Sequence, residues 1–206
     1  MQGNLYNPKA YIYFTIVVFP LAAIIALFLD QLFSSIGLSQ SAKIIIGTPT
    51  GIGVLFSIFN FFDRKAWRWD IFRRMSVIAV PYLGGRWNGT VKSSHNGDTT
   101  VDAVLEISQT FSRICVSLYT KTSESHSIIA GFLRSGGGIV TLNYLYQNKP
   151  HAMTTMLNSQ QGSAILKVLK GGKMLDGFYY NNGRERTTFG QTEFVWSQKE
   201  LLNSFS

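Results

Sequence analysis

The sequence predicts a membrane protein of mixed class: a two-helix N-terminal transmembrane hairpin followed by an antiparallel, eight-stranded, lipocalin-like up-and-down β-barrel. Three observations lead there. Two uncharged, membrane-length runs sit at the front of the 206 residues. A cluster of Lys and Arg follows the second run. From about Pro81 onward, short alternating runs are broken at regular intervals by Gly, Asn and Ser. The averages hide this division. The net charge is +8 and mean hydropathy is +0.11, with 46% hydrophobic and only 15% charged residues. Those values exclude a disordered tail, a coiled coil and a highly charged nucleic-acid-binding module.

Ala10 to Leu29 is 20 residues without a charge, and Ile44 to Phe62 is 19. A bilayer core takes roughly 20 apolar residues as helix. A cleaved signal peptide has a shorter apolar core, about 7–15 residues, and neither run has the polar face of a soluble helix. Residues 1–65 are therefore the expected hairpin. Its connector, Asp30 to Lys43, carries one acid and one base and is neutral. After the second span come Arg64, Lys65, Arg68, Arg73 and Arg74, against Asp63 and Asp70, leaving +3. Cytoplasmic flanks are enriched in Lys and Arg, so both termini are expected on the cytoplasmic side. Residues 66–80 read as a basic juxtamembrane linker, with Trp67 and Trp69 as an interfacial anchor and a short amphipathic helix from Ala66 to Val77. The second span holds Gly47 and Gly51 at GxxxG spacing, then Gly53 and Ser57. Small residues let helices approach closely in lipid. They serve either the hairpin's own packing or assembly between chains.

Residues 81–206 read as a cytoplasmic ligand-sensing domain. Strands are expected near Arg86–Ser94, Thr100–Gln109, Arg113–Lys121, Ser127–Arg134, Ile139–Gln147, Ser163–Leu169, Lys173–Tyr180 and Thr187–Trp196. Turn signals such as His95-Asn96-Gly97-Asp98 and Asn181-Asn182-Gly183 separate them. No helical period intervenes, so the connections are hairpins. Closure into a barrel removes the sheet edges, with a β-sandwich as the alternative. An eight-stranded barrel holds side chains or one small ligand.

Catalytic and metal chemistry find little support. His95, His126 and His151 lack ligand spacing, and no GxSxG, HExxH, GxGxxG or Walker sequence occurs. The single Cys115 alternates with Ile114, Val116 and Leu118 and has no evident base. The acids Asp98, Asp102, Glu106 and Glu124 read as solvated turn and outward positions. The informative feature is late in the chain, where aromatics interleave with bases. Asn143, Tyr144 and Tyr146 form one group. Tyr179 leads into Arg184, Arg186 and Thr188, and Arg134 ends the fourth strand. Aromatic faces stack on bases, and Arg makes bidentate phosphate contacts. These eight residues are the candidate ligand site for a small phosphorylated nucleotide. From Ser76 onward, 12 bases and 8 acids leave +4, too diffuse for a long nucleic-acid track.

Two N-terminal spans, a basic junction and a β-rich domain carrying GGRWNG (Gly84 to Gly89), LNYLYQNKP (Leu142 to Pro150) and LDGFYYNNGRERTTFG (Leu175 to Gly190) resemble the two-transmembrane β-barrel effectors of bacterial CBASS antiphage systems. The resemblance implies a non-enzymatic effector with no cofactor. A cognate nucleotidyltransferase supplies a cyclic dinucleotide to the barrel of a bacterial inner-membrane protein, and the chain forms a homo-oligomer, for which the spacing of Gly47 and Gly51 is this sequence's own candidate. The inner membrane is then disrupted and infection aborts. Two other readings stay open: a membrane-tethered, lipocalin-like carrier of a small apolar ligand, suggested by the GxW-like opening at Gly85 and Trp87, and a structural adaptor.

Overall fold

The structure is a computed structural model and describes residues 8–74, 80–94, 99–134, 138–150, 160–182 and 187–205. The chain divides into two compact units, one built on Tyr6–Ala79 and Thr110–Ser112, the other on Val80–Gln109 and Arg113–Ser206.

The first unit is helical. α1 (Pro8–Ser35) and α2 (Gln40–Arg64) form a hairpin, and the linking segment is shorter than the charge pattern suggests. α1 ends because Gly37 adopts a left-handed φ of 73°. That lets Leu38 N–H reach the Phe33 carbonyl at 3.2 Å and Gly37 N–H the Ser34 carbonyl at 3.1 Å, satisfying helix-end acceptors. Ser39 then caps α2 by accepting from the Ala42 N–H. Lys43 of α2 reaches back to α1, donating to Ser34 Oγ at 2.6 Å and pairing with Asp30 at 3.3 Å. Large apolar side chains such as Phe19, Leu27, Ile45 and Phe56 remain exposed along both helices. Among the described residues one helical run, Gln40–Arg68, is long and apolar enough to cross a membrane, and none of its apolar window is buried in the protein.

The expected amphipathic helix after α2 is instead a 3-10 turn (Ala66–Arg68) and a short α3 (Asp70–Arg74). The two tryptophans separate. Trp67 is buried and packs on Phe111, which also meets Phe62 edge-on at 5.3 Å. Trp69 is exposed and lies against Phe61 and Phe72. Only Trp69 therefore has the exposure an interfacial anchor needs.

The second unit is a closed antiparallel barrel in sequential order: β1 (Gly85–Ser93), β2 (Thr99–Gln109), β3 (Ile114–Tyr119), β4 (Ser123–Arg134), β5 (Val140–Pro150), β6 (Gln160–Leu169), β7 (Met174–Asn182) and β8 (Thr187–Gln198). β1 pairs with β8 to close it. β4 begins four residues earlier than its polar start suggests, and β5 and β6 reach further toward the loop between them. Ser123 to Ser125 pair with Asn148 to Pro150, so neighbouring strands override a local turn preference. Trp87 is fully buried and donates its indole N–H to the Leu83 carbonyl at 3.0 Å. The core around it includes Leu105, Ile107, Val116, Leu142, Leu166, Leu175 and Phe194. Glu106 is outward but not solvated. It sits 2.7 Å from Arg86, its carboxylate also accepts the N–H groups of Leu202 and Asn203, and Arg86 binds the carbonyls of Ser204 and Phe205. The terminal segment therefore covers a buried ion pair on the outer wall of β1 and β2.

Candidate functional site

Successive strand residues point to opposite faces, so burial fixes which parity points inward. On β5 the inward series is Leu142, Tyr144, Tyr146, Asn148. On β7 it is Leu175, Gly177, Tyr179, Asn181. On β8 it is Phe194, Thr192, Gly190, Thr188, and on β4 it is Phe132, Ala130, Ser125, Ser123. Each series changes from aliphatic or aromatic at one end to hydroxyl or amide at the other. The apolar ends fill one half of the barrel. The polar ends enclose a cup of about 170 Å³, walled by residues that include Thr120, Ser125, Tyr146, Asn148, Asn181 and Thr192.

Hydrogen bonds hold the cup's wall. The Tyr146 hydroxyl donates to Asn181 Oδ1, and Asn181 Nδ2 donates to Thr188 Oγ1 at 3.3 Å. Glycine makes this possible on β6. A Cβ at Gly162 would lie 2.3 Å from Asn181 Oδ1 and 2.6 Å from the Tyr146 hydroxyl. Gly190 likewise leaves room for Tyr179, whose ring carbon would be 2.6 Å from an added Cβ. Burial pushes the Tyr144 phenol well above its usual pKa. Tyr146 is raised by burial first and then by Tyr144 and Tyr179. Tyr179 is raised by burial, while a hydrogen bond with Ser93 pulls the other way. All three are thus neutral phenols near pH 7, and the Tyr146 proton is already given to Asn181. Thr192 Oγ1 is buried without a hydrogen-bond partner among the described residues, although it borders the cup. An unpaired buried hydroxyl costs about 1–3 kcal/mol, a cost that a polar ligand atom can relieve.

Of the eight expected site residues, the structure brings together Tyr144, Tyr146, Tyr179 and Thr188. It sets two apart. Arg134 pairs with Val140 at the far end of β4, remote from Tyr146 and Asn181. Adjacent strands run in opposite directions, so the end of an even strand and the end of an odd strand lie at opposite mouths. Asn143 has the wrong parity. It lies on the outer wall, donating to Thr141 Oγ1 at 2.9 Å and bordering an outer hollow with Leu145 and Ile165. Arg184 and Arg186 lie outside the described residues. Sequence reading missed Ser93, Ser125, Asn148, Asn181 and Thr192. A two-residue step from Tyr146 reaches Asn148, and one from Tyr179 reaches Asn181, so the signal existed once one tyrosine was known to face inward.

On the helical unit, a Cβ added at Gly51 or Gly53 would meet nothing within 4 Å. Those positions are not consumed by the hairpin's own packing. The surroundings of Gly47 lie outside the described residues. Among the described residues no group of three His, Cys, Asp or Glu is placed to hold a metal ion.

A closed barrel with one filled half and one polar cup defines a small-molecule-binding β-barrel. The comparisons with known proteins make the class more specific. Residues 78–196, more than half the chain, match the family described as the Cap15 cyclic dinucleotide receptor domain, and the chain belongs to that family. It is also similar to CD-NTase-associated protein 15 of Yersinia aleksiciae, with 30% identity over 138 residues. That alignment covers 67% of this chain and 65% of the relative, a little under two thirds of the relative's length.

Proposed function

We propose that the chain is a non-enzymatic CBASS effector that senses a cyclic dinucleotide in the barrel cup, self-associates and disrupts the inner membrane. The observation that carries the sensing half is the change of inward chemistry along the strands, which ends in neutral tyrosines, amides and the unpartnered Thr192 hydroxyl. Such groups suit a base edge and phosphate oxygens. The cup's 170 Å³ is smaller than the roughly 300–1,000 Å³ of a pocket that swallows a whole ligand. The dinucleotide therefore enters with one base and seats the remainder at the mouth. Membership of a cyclic dinucleotide receptor family supports the same ligand class, and a nucleotidyltransferase partner would supply it.

Supporting the membrane half are the apolar run Gln40–Arg68 and the open faces at Gly51 and Gly53. The neutral connector and basic junction favour a multi-pass arrangement with both termini cytoplasmic. Titration calorimetry of the full chain in detergent micelles against a panel of cyclic dinucleotides tests the sensing half, and binding of no member would overturn it. Gly51→Leu tests the membrane half. Unchanged permeabilisation in cells would sink the assembly role.

One observation favours the carrier reading: among the described residues the cup's lining has no charged side chain. Against it, an acyl chain would leave the buried Thr192 hydroxyl without a partner. Lipid co-purifying at one molecule per chain would reverse the preference.

A further inference from the structure

The same strands that line the cup present a second feature outward. Ile129, Leu145, Ile165, Phe178, Tyr180 and Phe189 are between 47% and 63% exposed, and they lie on five consecutive strands. Ile129 is paired with Leu145, Leu145 with Ser163, Ser163 with Tyr180, and Tyr180 with Phe189, in one row across the wall. In the adjoining row Ile165 is paired with Phe178. We propose that this outer wall of β4 to β8 is where a second copy of the chain docks, and that filling the cup favours the docking. The inference rests on the proposed sensing and self-association and assigns that association a surface.

Area, charge and register select the occupant. Six large apolar side chains about half exposed present on the order of 600 Å². A stable interface takes about 800 Å² from each partner, so this patch and its margin supply one side. The next row holds Lys167 paired with Asp176, and Asp176 paired with Glu193. A two-fold axis between Lys167 and Asp176 sets each against the other's counterpart in the second copy, which makes the margin self-complementary. Lys92 borders the same hollow as Phe178, Tyr180 and Phe189, and Lys167 lies 6.0 Å above the Phe178 ring. Two acids against two bases leave no net positive charge to draw the wall to an anionic lipid surface. Alternation then ties the wall to the cup. Leu145 stands between Tyr144 and Tyr146, Tyr180 between Tyr179 and Asn181, and Phe189 between Thr188 and Gly190. A ligand that fixes the inward residues fixes the outward ones, and it drives docking by as much as it prefers the docked state.

The test measures the mass of the full chain in detergent micelles by light scattering, with and without cyclic dinucleotides, alongside calorimetric affinity. Wild type should at least double in mass with ligand. Leu145→Glu/Phe178→Glu should stay single while its affinity changes less than threefold. A double variant that assembles like wild type overturns the wall and leaves the sensing reading standing. If no cyclic dinucleotide binds wild type, the sensing reading falls. The wall is then judged on concentration-driven association of the ligand-free chain, where equal masses for wild type and variant overturn it. Should the double variant misfold, Ile165→Cys in a Cys115→Ser background should cross-link to itself, and Asp102→Cys on β2 should not. Equal cross-linking at both positions overturns the wall as well.

Discussion

The two ends of the barrel are made by the same eight strands and behave as different materials. At the Trp87 end, Leu105, Ile107, Leu142, Leu166, Leu175 and Phe194 leave almost no accessible surface. At the other end the barrel carries Ser125, Asn148, Asn181 and Thr192 around a void, with Thr188 bonded to Asn181. One half stores stability, and the other gives some up to keep polar groups available. Thr192 marks the boundary: it is buried as deeply as a core residue yet left without a partner among the described residues.

Substitutions should separate the halves. Trp87→Ala removes the largest fully buried side chain and should lower unfolding free energy by about 3–5 kcal/mol, measured by chemical denaturation followed by near-ultraviolet circular dichroism. The cup's phenols should reveal themselves in alkali. Their folded pKa values are raised, so the native state keeps protons that the unfolded chain releases. That contribution is complete below about pH 10, the ordinary tyrosine value, and is lost as pH climbs toward the raised values. Stability should fall by up to about 1.4 kcal/mol per pH unit for each such phenol, and Tyr144→Phe should flatten the slope. Tyr146→Phe removes the donor to Asn181 and should weaken cyclic dinucleotide binding about tenfold, near 1.4 kcal/mol, in calorimetry. Thr192→Val should raise stability by about 1–3 kcal/mol, because it deletes a buried hydroxyl left without a partner among the described residues, while weakening ligand about threefold. The smallest effect sharpens the contrast further. Arg134→Ala, at the wrong mouth, should alter affinity less than twofold.

Much of this was legible in the sequence, and the misses share a cause. The eight strands followed from turn residues and alternation. The antiparallel order followed from the absence of helical connections, and the barrel from the need to close the sheet's edges, against a β-sandwich as the alternative. Period-two patterns do not announce which parity faces inward when both faces carry aromatics: Tyr144 and Leu145, or Tyr179 and Tyr180, look alike until burial distinguishes them. Asn143 was lost to that ambiguity. Arg134 was lost to a different one. Being next in sequence order placed it beside the tyrosines, but antiparallel pairing exchanges the mouths at every turn. Glu106 shows a third limit, since its partners Arg86 and the backbone N–H groups of Leu202 and Asn203 come from distant parts of the chain.

Closure by β1 and β8 has a consequence for the chain at rest. Proteins confined to a membrane meet one another often, and an open sheet would offer each neighbour a strand's worth of unsatisfied backbone. Such a template grows without limit and needs no signal. Among the described residues this closed barrel has no free strand edge to copy, so encounters between idle chains end without a ladder forming there. For a chain proposed to become harmful only on command, silence is then the default state of the fold, and contact between neighbours must be specified by side chains.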